Sequence, residues 1–162
     1  MNEEAHPRVL VLAPTNKACD VITKKITEIT DDYDWLGRFM ATSDESIENS
    51  GLVIDASSDL YKDKCCVVST IARLPYDGFN DFNHSGGLRD IEWDYVIVDE
   101  AEDLSKKQIK LVGTRIGEDS KVVFDGDIKQ SEIDISDNNP LQLMCNELKG
   151  NPLFACVTLN ED

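Results

Sequence analysis

The sequence predicts an α/β protein built as a three-layer parallel sheet. Short, continuous apolar runs recur at 8–13 (RVLVLA), 65–70 (CCVVST), 95–98 (YVIV) and 121–124 (KVVF). Runs of this kind read as strands buried on both faces, the habit of parallel sheets. Between them lie stretches with apolar residues at helical spacing, and strands alternating with helices imply right-handed crossovers. Polar turns follow the strands at Thr15, Thr70, Asp99 and Asp127, so parallel strands would deliver all of them to one edge.

Taken in order, Arg8 to Ala13 forms the first strand and Pro14-Thr15-Asn16 breaks it. Ala18, Ile22, Ile26 and Ile29 then share a helical face with Val21 beside it, and Lys17, Lys24 and Lys25 lie off that face. The Thr15 hydroxyl and nearby backbone N–H groups sit where a phosphate can be met. Thr and Asn also cap helices for purely structural reasons. Between Asp31 and Asp63 the pattern is weaker. Trp35, Leu36, Phe39 and Met40 suggest a short helix docked on the core, Ser43 to Ser50 a loop, and Gly51-Leu52-Val53-Ile54 a short strand. Cys65 to Thr70 is the next apolar run, ending in Ser-Thr, and Ile71 to Leu74 continues that run. Asp77 to Asp90, rich in Gly, Asn and Asp, reads as a long loop.

Trp93-Asp94-Tyr95-Val96-Ile97-Val98-Asp99-Glu100-Ala101-Glu102 runs a buried strand directly into adjacent carboxylates. At a sheet's carboxyl edge, such an Asp can hold a magnesium ion and such a Glu can orient or deprotonate a water. The plain alternative is an acidic turn ending a core strand. Leu104 and Ser105 begin a helix, with Ser105 and Gln108 at capping-box spacing; Ile109, Val112 and Ile116 form its stripe and Gly117 its stop. After the strand Lys121–Phe124 comes Asp125-Gly126-Asp127-Ile128-Lys129-Gln130. Asn139 caps and Pro140 starts a helix through Leu148, with Leu141, Met144, Cys145 and Leu148 facing the core and Gly150 beyond. Phe154 to Leu159 reads as a last strand.

The 162 residues are 41% hydrophobic, enough for one domain with a real core. No apolar run approaches membrane-span length, and the N-terminus carries no signal-peptide pattern. The net charge of −16 argues against strong autonomous binding to DNA or RNA, although a local basic groove is compatible with it. Solubility is the ordinary use of such a charge. Five cysteines, none in a C-x-x-C pair, suggest space-filling thiols in a reduced, cytoplasmic protein. Cys65, Cys66 and His84 fit no zinc spacing.

Several of these stretches resemble known motifs. Ala13-Pro14-Thr15-Asn16-Lys17-Ala18 resembles motif Ia of superfamily 1 helicases, and Val68-Ser69-Thr70 the next nucleic-acid-contacting motif. Asp99-Glu100-Ala101-Glu102 resembles the Walker B motif, and Gly126-Asp127-Ile128-Lys129-Gln130 the G-D-x-x-Q of motif III. Tyr95 to Ile133, with Thr114-Arg115-Ile116-Gly117, also resembles the PhoH-like ATPases. The two groups share the first RecA-like motor domain, so the resemblance implies a partial RecA-like P-loop NTPase fold over residues 1–162, from motif Ia through the strand after motif III. It implies ATP and Mg2+ as cofactors. Asp99 would coordinate the magnesium, with Asp127 beside the same cofactor. Glu100 would activate the attacking water and Gln130 would sense the γ-phosphate. Thr15, Asn16 and Thr70 would contact a single strand of DNA or RNA. Arg115 matches a PhoH-like position without an assigned role.

Two departures stand out. Glu102 occupies a position where the family usually carries Gln. The pattern G-x-x-x-x-G-K-[ST] is missing, because none of the nine glycines is followed by lysine. In the family that loop lies just before the strand that begins here at Arg8, so Met1 falls about where its helix should end. The expectation is therefore part of an ATP-dependent helicase or PhoH-like motor domain that needs its phosphate loop from an upstream segment or a partner chain. The alternatives are a catalytically inactive NTPase-like binding or regulatory module, and a folded fragment without activity of its own. In the RecA-like sheet the missing strand is central, so either the sheet closes over the gap or another segment fills it.

Overall fold

The computed structural model describes residues 6–55, 62–74, 87–88, 91–115, 117–130 and 139–159. Six strands form one sheet: β1 (Val9–Ala13), β2 (Leu36–Phe39), β3 (Val53–Ile54), β4 (Cys66–Thr70), β5 (Tyr95–Val98) and β6 (Lys121–Phe124). Their order is β3-β2-β4-β1-β5-β6, and every pairing is parallel. The predicted α/β class, with its RecA-like arrangement, is the observed one. β1 is central because it is apolar on both faces: Leu10 and Leu12 face one layer, Val11 and Ala13 the other, all at 8% exposure or less.

The helices are α1 (Asn16–Glu28), α2 (Glu45–Glu48), α3 (Lys106–Arg115) and α4 (Pro140–Glu147). α1 packs Ala18, Cys19, Ile22 and Ile26 with Ile47 of α2 on one face of the sheet. α3 and α4 place Ile109, Val112, Leu141 and Met144 on the other, against Leu10, Leu12, Val96 and Val98. Thr15 caps α1 by accepting from Ala18 N at 3.1 Å. The Ser105–Gln108 capping box forms as its spacing predicts, with Ser105 N donating to Gln108 Oε1 at 2.9 Å. Asn139 caps α4 and Pro140 opens it.

Four expectations are corrected. Leu36–Phe39 is a strand, not a docked helix. Its residues alternate, Leu36 and Arg38 to one side and Phe39 to the other, and it pairs with β4 and β3. Ser43 to Ser50 contains the short helix α2, which forms because Asp44 caps it through Ser46 N at 3.0 Å. On α1 the apolar stripe stops early: Val21 and Ile29 are exposed, and Asp20 and Thr23 are buried in their place. Phe154 to Leu159 is not a strand. Apolar residues become a strand only where a ladder accepts them. After Gly150 turns the chain at φ 88°, 152–159 runs without one, with Leu153, Val157 and Leu159 at least 80% exposed. The predicted long loop at Asp77 to Asp90 lies almost wholly outside the described residues, as do His84 and the side chains of Arg115 and Ile116.

Among the described residues the sheet does not close over a gap. Among the described residues β6 pairs with β5 alone, which makes it an edge. On the α1 side, the β5–β6 half is also thinly covered: Tyr95 and Val123 are 38% and 49% exposed, and Lys121 lies 5.6 Å from the Tyr95 ring.

Candidate functional site

Register brings the four polar turns to one edge, as expected. Ala13 lies opposite Thr70, Leu12 opposite Val98, and Val98 opposite Phe124, so the chain leaves β1, β4, β5 and β6 side by side. The turns after β5 and β6 are joined directly. Asp99 N donates to Leu12 O at 2.9 Å, Asp125 N to Val98 O at 2.8 Å, and Ala101 N to Asp125 O at 2.9 Å. These bonds use the last ladder positions to tie three strand ends together.

Gly126 is required by this junction. A Cβ there would lie 2.9 Å from Glu102 N and collide with the Glu102 carboxylate. Both turns thus approach at a distance that only a glycine permits. Glu100 adopts a left-handed conformation, φ 52° and ψ 43°, and leads into a 3-10 turn at Ala101–Asp103. A non-glycine residue held there stores strain of about 1–3 kcal/mol, a cost that clusters at functional sites. It leaves the Glu100 side chain exposed beside the partly buried Asp99 while Ala101 and Glu102 turn inward.

The carboxylates are not equivalent. Although Glu100 is largely exposed, partial desolvation against the turn pushes its carboxyl above its ordinary range, reinforced by the nearby Asp99 and Asp103. Burial likewise raises Glu102, helped by Asp103 and Glu100, while the backbone N–H groups of Glu102 and Asp127 pull the other way. Asp127 is held below its ordinary range by Lys129 N and by the Gln130 side chain. Gln130 Nε2 donates to Asp127 Oδ2 at 2.9 Å, so its amide is parked on its own turn. Among the described residues no hydrogen bond joins Gln130 to Asp99 or Glu100.

The remaining predicted residues separate into exposed and buried. Thr15, Asn16 and Lys17 are exposed at the N-terminus of α1, whereas Thr70 is only 7% exposed. Thr70 therefore shares the edge but presents little side chain to it.

Sequence reasoning missed Arg38. Its side chain is fully buried beneath the Thr15–Asn16 turn and paired with Asp20 on α1 at 2.9 Å. Its guanidinium also donates to Phe39 O at 2.9 Å, Ala41 O at 2.8 Å and Asn16 Oδ1 at 3.1 Å. Because an arginine can only donate, Asn16 must turn its oxygen inward and its NH2 group outward. The turn is thereby set to offer donors. The available signal was an aspartate at 20 beside the apolar face of a helix together with an arginine inside an apolar run, two charges that each need a buried partner.

Residues 87–162 match a protein family described as PhoH-like protein. The chain is 37% identical over 73 residues to Protein PhoH2 of Bacillus subtilis (strain 168), a stretch covering 44% of this chain and 16% of that protein. It is 36% identical over 72 residues to Protein PhoH2 of Mycolicibacterium smegmatis, with the same two coverages. It is 38% identical over 66 residues to Protein PhoH2 of Thermobispora bispora, covering 40% of this chain and 15% of the relative. The chain thus spans about a sixth of the length of the curated relatives it matches.

Proposed function

We propose, for a chain that is PhoH-like over residues 87–162, that it is the metal-and-water half of an ATP-hydrolysing motor domain. It would act on single-stranded DNA or RNA once a phosphate-binding loop joins it. The observation that carries this reading is the locked pair of turns after β5 and β6, which sets Asp99, Glu100, Asp127 and Gln130 on one carboxyl edge.

The residues present fit part of the implied cofactor. Magnesium is usually bound through one or two carboxylates plus substrate phosphates and water, so Asp99 can supply the carboxylate, while the Ser/Thr ligand of a phosphate loop would have to come with that loop. Among the described residues no cluster of three or more metal-ligating side chains competes with it. The phosphate side is different, because no glycine in these 162 residues precedes a lysine. Bound Mg-ATP would supply the electrophilic γ-phosphoryl group and its charge-neutralising metal. Asp99 holds the metal side. Glu100 orients a water and accepts its proton, a task favoured by its raised carboxyl pKa. Gln130, once released from Asp127, reports phosphate occupancy towards the α1 edge. There Thr15, the outward NH2 of Asn16 and Lys17 meet a strand backbone, with Thr70 contributing from below.

The open β6 edge and the thinly covered Tyr95–Val123 face suit one further strand and helix. We assign them to the missing phosphate-loop unit, supplied upstream or by a partner chain, and treat residues 1–162 as one RecA-like domain fragment. Five free cysteines suit a reducing, cytoplasmic setting, and among the described residues no helix is long and apolar enough to cross a membrane. The excess of acidic residues and the raised Glu102 favour one second reading, an inactive NTPase-like module that engages a partner.

The test is Glu100→Gln in the protein completed by its phosphate loop. Losing a general base costs about 10²–10⁴-fold, so turnover should fall at least 100-fold with nucleotide binding kept. Unchanged turnover removes Glu100 from this role, and the absence of any turnover in the completed parent protein favours the inactive module.

A further inference from the structure

The C-terminal stretch 152–159 leaves α4 without joining the sheet, yet one side chain ties it back. Cys156 Sγ lies 3.1 Å from Cys145 Sγ on α4. The two sulfurs are within hydrogen-bond distance, and a disulfide needs a further approach of only about 1 Å. Cys156 is exposed and Cys145 half-buried, so an oxidant can reach them. Cys19 and Cys66, by contrast, are buried in the α1-side core, out of an oxidant's reach. Among the described residues the tail's other hydrogen bonds are local: Asn151 N donates to Leu148 O, Phe154 N to Asn151 O, and Leu153 N to Asn151 Oδ1.

We propose that Cys145 and Cys156 form a reversible disulfide that pins the 152–159 tail to α4. The oxidant class is a peroxide. The exposed Cys156 thiolate attacks one peroxide oxygen; an S–O bond forms, the O–O bond breaks, and water leaves after protonation. The Cys145 thiol then attacks the sulfenic sulfur, an S–S bond forms and a second water leaves. Two thiols are oxidised, one peroxide is reduced, and a dithiol reverses the change by exchange. α4 is itself anchored to the Asp99–Glu100 turn, since Asn139 Nδ2 donates to Glu102 O at 3.0 Å. Oxidation therefore fixes the apolar tail to the helix that docks on the carboxylate turn.

The reduced chain, treated with hydrogen peroxide, alkylated under denaturing conditions and digested with trypsin, tests this. Lys149 lies between the two cysteines, so cleavage after it leaves peptides 130–149 and 150–162 joined only by the disulfide. The expected result is that linked pair, lighter by two hydrogens than its separate peptides. It should be lost on adding dithiothreitol and absent in Cys145→Ser and Cys156→Ser. In the folded oxidised protein, chymotryptic cleavage at Leu153 and Phe154 should slow relative to the reduced form, a protection that both variants lose. A linked Cys65–Cys66 product, covalent dimers, or alkylation of all five cysteines after peroxide treatment would overturn the proposal.

Discussion

Replacing Asp20 with alanine should be among the most damaging single changes in the chain. The Asp20 carboxylate accepts from Arg38 Nε at 2.9 Å, Ser43 N at 3.2 Å and Ser43 Oγ at 3.3 Å. The Arg38 side chain is 0% exposed, and its other acceptors, Asn16 Oδ1, Phe39 O and Ala41 O, are all neutral. Asp20→Ala therefore leaves a buried cation with no counter-charge, a situation that costs about 3–5 kcal/mol. Arg38→Met removes the cation but leaves Asp20 its two Ser43 donors, so it should cost less. The double variant should be more stable than the sum of the singles predicts by about 1–3 kcal/mol, the coupling typical of contacting groups. Urea denaturation followed by fluorescence of the buried Trp93 measures all three. Because total stabilities are only about 5–15 kcal/mol, Asp20→Asn, which keeps an acceptor for Arg38, provides a folded intermediate case. A loss below about 1 kcal/mol for Asp20→Ala, or additivity within about 0.5 kcal/mol, would refute the buried-pair account.

Other changes probe the carboxylate turn. Asn139 caps α4 through its oxygen, which accepts from Leu141 N at 3.0 Å, and ties Glu102 O through its nitrogen. Asn139→Ala should cost about 2–4 kcal/mol, the cap and the buried carbonyl together, whereas Asn139→Ser keeps a capping oxygen and should lose about half; equal losses in a denaturant titration would contradict the dual role. Gly126→Ala should cost about 1–3 kcal/mol from overpacking against the Glu102 backbone, read as a lower melting temperature, and no change would show that the turns can part. Glu102 has a folded-state pKa raised by burial, so its ionisation opposes folding. That opposition is absent below the unfolded value near 4.5 and sets in as pH rises through the folded value. Glu102→Gln should therefore raise the melting temperature at pH 7, with the gain shrinking as pH falls towards 4.5; a pH-independent gain would point to packing instead.

Strands β1, β4, β5 and β6 and their shared edge were legible because each is a local apolar run followed by a polar turn. β2 was hidden because its run includes Gly37 and Arg38, residues that do not look like strand interior. The partner that makes Arg38 tolerable lies eighteen residues earlier on α1. Such pairing is tertiary, and no local pattern carries it. Leu153, Val157 and Leu159 misled in the opposite direction, since apolar composition predicts a strand but the neighbouring strand must exist to accept it. The Asp99–Glu100 turn was visible as two letters; the left-handed Glu100 and its lock onto Gly126 were not. Thr70 read as a contact residue through the resemblance of Val68-Ser69-Thr70 to a nucleic-acid-contacting motif, and its burial emerged only once β1 and β2 were packed on either side of β4.

The central claim, that these residues provide the metal-and-water half of a nucleotide site and lack its phosphate cradle, is tested most directly by calorimetric titration with Mg-ATP. The 162-residue chain and the same chain completed by its phosphate-loop segment would be titrated side by side. No measurable heat of binding is expected for the chain alone, and saturable, magnesium-dependent binding for the completed protein. Tight Mg-ATP binding by the 162 residues alone, or none by the completed protein, would contradict it.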